Sequence, residues 1–382
     1  MDITLLPVQH LRSVREVKSL VRDWVAQQAL QWPDLRAAHL TGGVTALDDD
    51  DLFPAAKDVD LHLIFPDQSA LLQADAMPLM EVQYAGLAIE AGLKPMTWYR
   101  SPQAVLSNPE IAYHLTRDTI LFDPSGYLLA LQPDVRAQYA ERGFLQERIA
   151  WERRGQDGAF RLYEQLEQTT GAVAALNIMG YTVTFAAAAL AVSRLEPPRQ
   201  GGRVFLHLRQ GLVQTHRLDL HEGVLFALGL AGFDARKVQV FLREATEQFD
   251  MAVKLRESGR WPEDAFGPFR HKLHRHLRQY FVGTCRELLR QGWVREAMGW
   301  VLPYHLATSD ALLAVSPASE HGWIRTRQGE LQRALGLESP AQRQAAVSHL
   351  RACYSEIFAL ADEQAYVLPA TEGWEALATA SS

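Results

Sequence analysis

Residues 37–65 read AAHLTGGVTALDDDDLFPAAKDVDLHLIF. The pattern predicts a strand, a Gly-Gly turn, a short helix, an acidic loop and a second strand. In a strand, residues i and i+2 point to the same face. Asp58 and Asp60 therefore project together, while Val59 and Leu61 project the other way into apolar packing. Two carboxylates side by side repel unless something positive lies between them. Hard divalent cations such as Mg²⁺ take oxygen ligands of this kind. A half-buried strand that merely shows Asp to solvent has the same spacing, so the pair alone does not decide between the two.

Downstream, MEVQYAGLAIEAGLKPMTW predicts two short strands broken at Gly86. Leu87, Ile89 and Ala91 share one face of the second, and Glu90 faces the other way. A lone acid in an apolar strand is costly to bury without a partner, which makes Glu90 a candidate third carboxylate. Glu81, at the start of the first strand, is the competing choice and would be solvated there. Further on, ILF at 120–122 predicts a short strand, and DPSG at 123–126 a turn with Pro at its second position.

A strand, a Gly-Gly or Gly-Ser turn, a helix and then D-x-D on the next strand resembles the nucleotidyltransferase superfamily, the polymerase-beta-like fold. The small-molecule members, of aminoglycoside and lincosamide type, look most similar, and the match covers about the first third of the chain. The resemblance implies an α+β architecture. An N-terminal nucleotidyltransferase-fold mixed sheet with flanking helices would occupy 1–135, a mostly α-helical bundle shaping the acceptor site 136–370, and a tail 371–382. It implies Asp58, Asp60 and Glu90 as catalytic and metal residues holding two Mg²⁺ ions. It implies a triphosphate substrate, ATP first, and a small-molecule acceptor. Gly42, Gly43, Thr41, Thr45 and Lys57 form the candidate nucleotide-binding set. The family's usual turn is Gly-Ser, and Thr41 or Thr45 would have to replace that hydroxyl here.

The loop before D-x-D carries Asp48, Asp49, Asp50 and Asp51, and no Lys or Arg lies between Gly43 and Lys57. Such a run either swings away as a solvated loop or repels a triphosphate. The second case would leave a nucleotidyltransferase-like binding or regulatory protein, antitoxin-like, without the reaction.

Composition narrows the partners. Over 382 residues the net charge is −7, with 48% hydrophobic and 22% charged residues. That is an ordinary globular balance, and it disfavours a broad nucleic-acid surface. Cys285 and Cys353 are the two cysteines, too few for a disulfide framework and in keeping with the cytoplasm. The first residues show no secretory pattern. The apolar run VTFAAAALAV is too short to span a bilayer, so no membrane is expected. Oligomerisation is left open.

Helical spacing of Leu11, Val14, Val17, Leu20, Val21, Trp24 and Val25 predicts a helix over 8–30 ended by Pro33. QSALLQADAM, after Phe65, predicts another. Beyond about Gln132 no strand is expected. Helices are expected at 172–193, apolar all round and central to a bundle, and at 203–215, 221–230, 234–257, 268–290, 293–301, 327–336 and 340–362. On the 268–290 helix, His271, His274, Arg275 and Arg278 would share a side. They would form an anion or acceptor wall, or simply a solvated basic face. Trp261, Trp293 and Trp300 could line a pocket, and Tyr304 and His305 would follow Pro303 at a helix start.

Overall fold

The computed structural model describes residues 12–54, 57–66, 81–169, 171–197, 201–259 and 272–367. The helix expected at QSALLQADAM, and also Trp261 and His271, lie outside these residues. The chain divides into two compact units, with the division between Glu147 and Arg148. The division falls within helix α5 (Arg142–Thr169).

In the first unit, helix α1 (Val14–Gln31) starts at a capping box. Ser13 Oγ accepts from Glu16 N at 3.3 Å, and the Glu16 carboxylate accepts from Ser13 N at 2.8 Å. Val14, Val17, Val21, Trp24 and Val25 are buried against a mixed five-stranded sheet. Its strands are β1 (Ala37–Leu40), β2 (Val59–Phe65), β3 (Glu81–Tyr84), β4 (Leu87–Pro95) and β5 (Ile120–Phe122). The order is β3-β4-β2-β1-β5, with β2 and β4 parallel and the other neighbours antiparallel. Ala85 and Gly86 both take positive φ, 48° and 80°, and turn β3 tightly into β4.

Alternation sorts the two sheet faces. Leu40, Val59, Leu61, Leu63, Ile89 and Ala91 join α1 in one apolar core. The opposite face carries Asp60, His62, Glu90 and His39. It is covered in part by the segment after β4, where Tyr99 sits wholly buried. The Tyr99 hydroxyl lies 2.9 Å from His39 Nε2 and 3.1 Å from His62 Nδ1. Helices α2 (Pro102–Leu106) and α3 (Ala112–Leu115) precede β5; at Asp123–Gly126, Gly126 adopts φ +70° and the Asp123 carboxylate caps helix α4 (Tyr127–Gln138), accepting from Tyr127 N and Leu129 N at 3.0 Å each.

The acidic loop does not swing free. Its carbonyls at Asp51 and Asp49 accept from Val14 N and Arg15 N, each at 2.9 Å. Lys18 pairs with Asp49 at 2.7 Å and Arg15 with Asp50 at 3.0 Å. The Lys18 ammonium holds the Asp49 carboxyl below its usual range. The run of aspartates is thus docked on the first turn of α1, where free N–H groups favour negative charge.

The second unit is helical throughout its described residues. Where one apolar helix is expected at 172–193, there are two, α6 (Ala172–Tyr181) and α7 (Val183–Ser193). They join at Thr182, whose hydroxyl donates to Met179 O at 2.6 Å. Residues 172–193 together are long and apolar enough to cross a bilayer, but 67% of that window is buried inside the protein, the mark of a core helix. Helices α8 (Val204–Gln214), α9 (Leu218–Ala227) and α10 (Ala235–Glu257) follow, then α11 (Arg278–Arg290), α12 (Val294–Val315), α13 (His321–Leu335) and α14 (Pro340–Val367). α12 does not stop near 301. It continues through Pro303, so Tyr304 and His305 are wholly buried mid-helix residues and not a helix start.

Burial keeps His39, His62 and His114 neutral near pH 7. It pushes His39 down to about 4, against a smaller opposing pull from the Leu40 carbonyl, and His114 down to about 3. Unfolded histidine protonates below about 6.5, whereas these two resist protonation until the lower values. Their contribution is therefore complete above about pH 6.5 and is lost as pH falls towards 4. It amounts to on the order of 3 kcal/mol for His39. Urea unfolding should show stability dropping across that window, and the His39 and His114 ring resonances should stay constant between pH 7.5 and 5.5. Ring signals that titrate near 6.5 would refute the assignment.

Candidate metal centre

Parallel pairing of β2 and β4 sets Asp60 directly beside Glu90. Asp58 precedes β2 by one residue and is 9% exposed. Asp58, Asp60 and Glu90 each offer a carboxylate oxygen within 4.8 Å of the others. The three sequence candidates therefore meet at one point. Glu81, the rival, is buried and not solvated. It sits opposite Glu90 on β3, but is not part of this cluster.

The turn after β1 fits closely against the acids. Thr41 N donates to Asp60 O at 2.9 Å, which extends the β1–β2 ladder by one step. The chain then turns at Gly42 with φ +62°, a conformation that favours glycine. A Cβ on Gly42 would lie 1.9 Å from Asp60 Oδ2. Gly42 thus leaves the space that the Asp60 carboxylate fills. The short helix expected there is a single 3-10 turn, Gly42–Ala46. Beside it, a Cβ on Gly43 would stand 3.0 Å from Lys57 Nζ, so the Lys57 ammonium lies over the turn.

The remaining candidates are placed differently. Thr45 is buried, and its hydroxyl donates to Gly42 O at 2.8 Å and lies 3.0 Å from His114 Nδ1, so it faces inward. Thr41 is buried at the end of β1. In the second unit, His274 is extended, and a 3-10 turn at Arg275–Leu277 precedes α11. His274, Arg275 and Arg278 therefore do not line up on one helix face. Arg275 pairs with Glu257 at 2.6 Å, and Arg278 with Asp250 at 2.7 Å. Both guanidiniums are committed to carboxylates of α10 or its end. Trp293 lies beneath Arg209, and Trp300 stacks on Phe281 at 5.3 Å.

The sequence reading missed the polar floor next to the acids. His62 lies two residues along β2 from Asp60, and His39 pairs with His62 across β1. Gly92, beside His62 on β4, makes room for its ring, because a Cβ there would approach Cδ2 to 3.2 Å. The i, i+2 spacing of Asp60 and His62 was the available signal. Burial, then repulsion from His39, holds His62 well below its usual range.

The cluster offers carboxylate oxygens only, a donor set that suits a hard cation and not a thiophilic one. Compared with known protein families, characterised proteins and solved structures, the chain matches none.

Mg²⁺ or Mn²⁺ is expected to raise the melting temperature of the protein. Asp60→Asn and Glu90→Gln should each abolish that rise, since each removes one of the three carboxylates that meet here. Gly42→Ala should lower stability by about 1–3 kcal/mol and weaken the metal response. Differential scanning fluorimetry with and without metal checks all three. An undiminished metal response in both charge variants would remove the cluster as the binding site.

Proposed function

We propose that the protein is a metal-dependent nucleotidyltransferase that moves a nucleoside monophosphate, AMP from ATP in the first instance, to a hydroxyl of a small molecule. The observation that carries this reading is the convergence of Asp58, Asp60 and Glu90 within 4.8 Å of one another, against the left-handed turn at Gly42. The order of elements adds support, with the Gly-Gly turn between β1 and β2 and the third acid on the strand parallel to β2.

Asp58 and Asp60 would hold the cations together with Glu90. When bound, divalent cations neutralise charge on the transferred phosphoryl group and lower the acceptor hydroxyl's pKa. The acceptor oxygen attacks the α-phosphorus as the bond to pyrophosphate breaks. Glu90 would either ligate a cation or, given hydrogen-bond reach, take the acceptor's proton. Gly42 and Gly43 let phosphate approach the backbone. Lys57, lying over Gly43, supplies the positive charge that the family's serine hydroxyl does not.

The docking of the acidic loop favours this reading over a binding-only protein. Asp49 and Asp50 are paired with Lys18 and Arg15, so their charge is partly compensated before any triphosphate arrives.

Pyrophosphate release should be assayed with each triphosphate against aminoglycosides and other hydroxylated metabolites. Turnover should require metal and fall about 10²-fold or more in Asp58→Asn and Asp60→Asn. Lys57→Met should raise KM for the triphosphate more than it lowers kcat. Turnover equal to wild type in both aspartate variants would end the proposal.

A further inference from the structure

Three side chains on the polar face of the sheet form a relay whose protons are placed by elimination. His39 Nδ1 lies 2.9 Å from Leu40 O. A carbonyl only accepts, so this nitrogen carries the hydrogen. The ring is neutral near pH 7, which leaves Nε2 bare, and the Tyr99 hydroxyl donates to it at 2.9 Å. Tyr99 has one hydroxyl hydrogen and has now used it. Towards His62 Nδ1, 3.1 Å away, its oxygen therefore accepts, and Nδ1 carries the hydrogen. His62, also neutral, is thus held as the Nδ1–H tautomer, and its Nε2 keeps a lone pair.

That lone pair is the open end of the relay. His39 and Tyr99 are wholly buried, whereas His62 is 8% exposed. Tyr99 covers the Nδ1 edge of the His62 ring, so the open edge is the opposite one. This edge lies over Gly92, where a Cβ would come within 3.2 Å of Cδ2 and 3.6 Å of Nε2. Nε2 has no hydrogen-bond partner among the described residues. An acceptor nitrogen fixed from behind and unmatched in front suits a ligand group that donates.

Its place on the sheet says which ligand. His62 and Gly92 are the next residues on the polar face after Asp60 and Glu90, roughly 6–7 Å further along the strands. The Gly42 turn meets the acids from the other end, since Thr41 N donates to Asp60 O and β2 runs away from that contact towards His62. Triphosphate and His62 therefore belong on opposite sides of the acids. Lys94, next after Gly92 on this face, is already matched. It pairs with Glu110 at 2.8 Å and lies over the Trp98 ring at 4.4 Å. A phosphate placed here would meet a lone pair beside a cation that is already paired.

We propose that His62 Nε2 accepts a hydrogen bond from the acceptor substrate, so that the His62–Gly92 step is the acceptor side of the site. Assigning the donor to the acceptor substrate rests on the nucleotidyltransferase reading; the direction of the hydrogen bond does not. The hydroxyl that reacts belongs at the cations. One strand step away, His62 holds a second hydroxyl of the same molecule, which favours acceptors that carry more than one. Tyr99 and His39 are positioning residues that set the tautomer of His62.

Long-range ¹H–¹⁵N spectra of the full chain, labelled at its histidine rings, test this without any variant. At neutral pH His62 should be protonated at Nδ1. Its Nε2 resonance should move saturably with at least one of the hydroxylated compounds of the pyrophosphate-release panel, added with Mg²⁺, and should not move with inorganic phosphate. Tyr99→Phe should let the Nε2–H form appear. In the release assay, His62→Phe should raise KM for the acceptor about tenfold or more and leave KM for the triphosphate unchanged. His62→Gln, whose amide oxygen can stand where Nε2 stood, should recover most of that loss. An Nε2–H tautomer in the wild-type chain, an Nε2 that answers to phosphate or to none of the hydroxylated compounds, or an unchanged acceptor KM in His62→Phe overturns the proposal. A saturable Nε2 shift without pyrophosphate release sinks the nucleotidyltransferase reading and leaves the His62 contact standing. Release that is indifferent to His62→Phe does the reverse.

Discussion

The pairing of Asp60 with Glu90 across two parallel strands is the constraint on which the first unit turns. Two carboxylates set this close repel unless something positive lies between them. The sheet holds them together because a slip of one residue would reverse every side chain of the strand. Glu90 would then enter the apolar face, and Ile89 or Ala91 would leave it. The α1 core, with Leu61, Leu63 and Ile89 buried to within 1% of complete, therefore fixes the register. The energy that gathers the acids comes from hydrophobic burial on the opposite side of the same strands. A cation at the cluster would relieve a repulsion that this packing imposes.

The histidines of the polar face add no charge of their own. His39 and His62 lie one step along the sheet from Asp60 and could have answered it with positive charge. Burial holds both neutral, and the Tyr99 hydroxyl between them satisfies their nitrogens. Lys18 and Arg15 act similarly on the acidic loop, fastening it to α1 at 2.7 and 3.0 Å.

Much of the first unit was legible because its signals are local. Alternation marked β2 and β4, the Gly-Gly pair marked the turn between strands, and the choice of Glu90 over Glu81 followed from its apolar neighbours. Pairing partners were not legible, since they lie far apart in the chain. Nothing near Asp48–Asp51 announces that Lys18 and Arg15 will receive them. The same limit misplaced the basic segment. Helical spacing put His274, Arg275 and Arg278 on one wall, but that helix begins only at Arg278, and Glu257 and Asp250 from α10 claim the two arginines. Pro303 misled for another reason. Proline removes an N–H and usually breaks a helix, yet α12 runs on from it because its flanks, Val301, Leu302 and Tyr304, are wholly buried. Tertiary packing outweighed local preference there.

The Gly-Gly turn is best understood as half of an exchange. A serine at position 43 would place its Cβ 3.0 Å from the Lys57 ammonium, closer than side chains comfortably approach, and the lysine would have to move. Glycine at 43 and lysine at 57 therefore belong together. One clears the space that the other occupies. An ammonium brings a full charge and three donors where a hydroxyl brings one. On the function proposed above, the departure from Gly-Ser does not by itself argue for a lost reaction, because Lys57 brings an ammonium over the same turn.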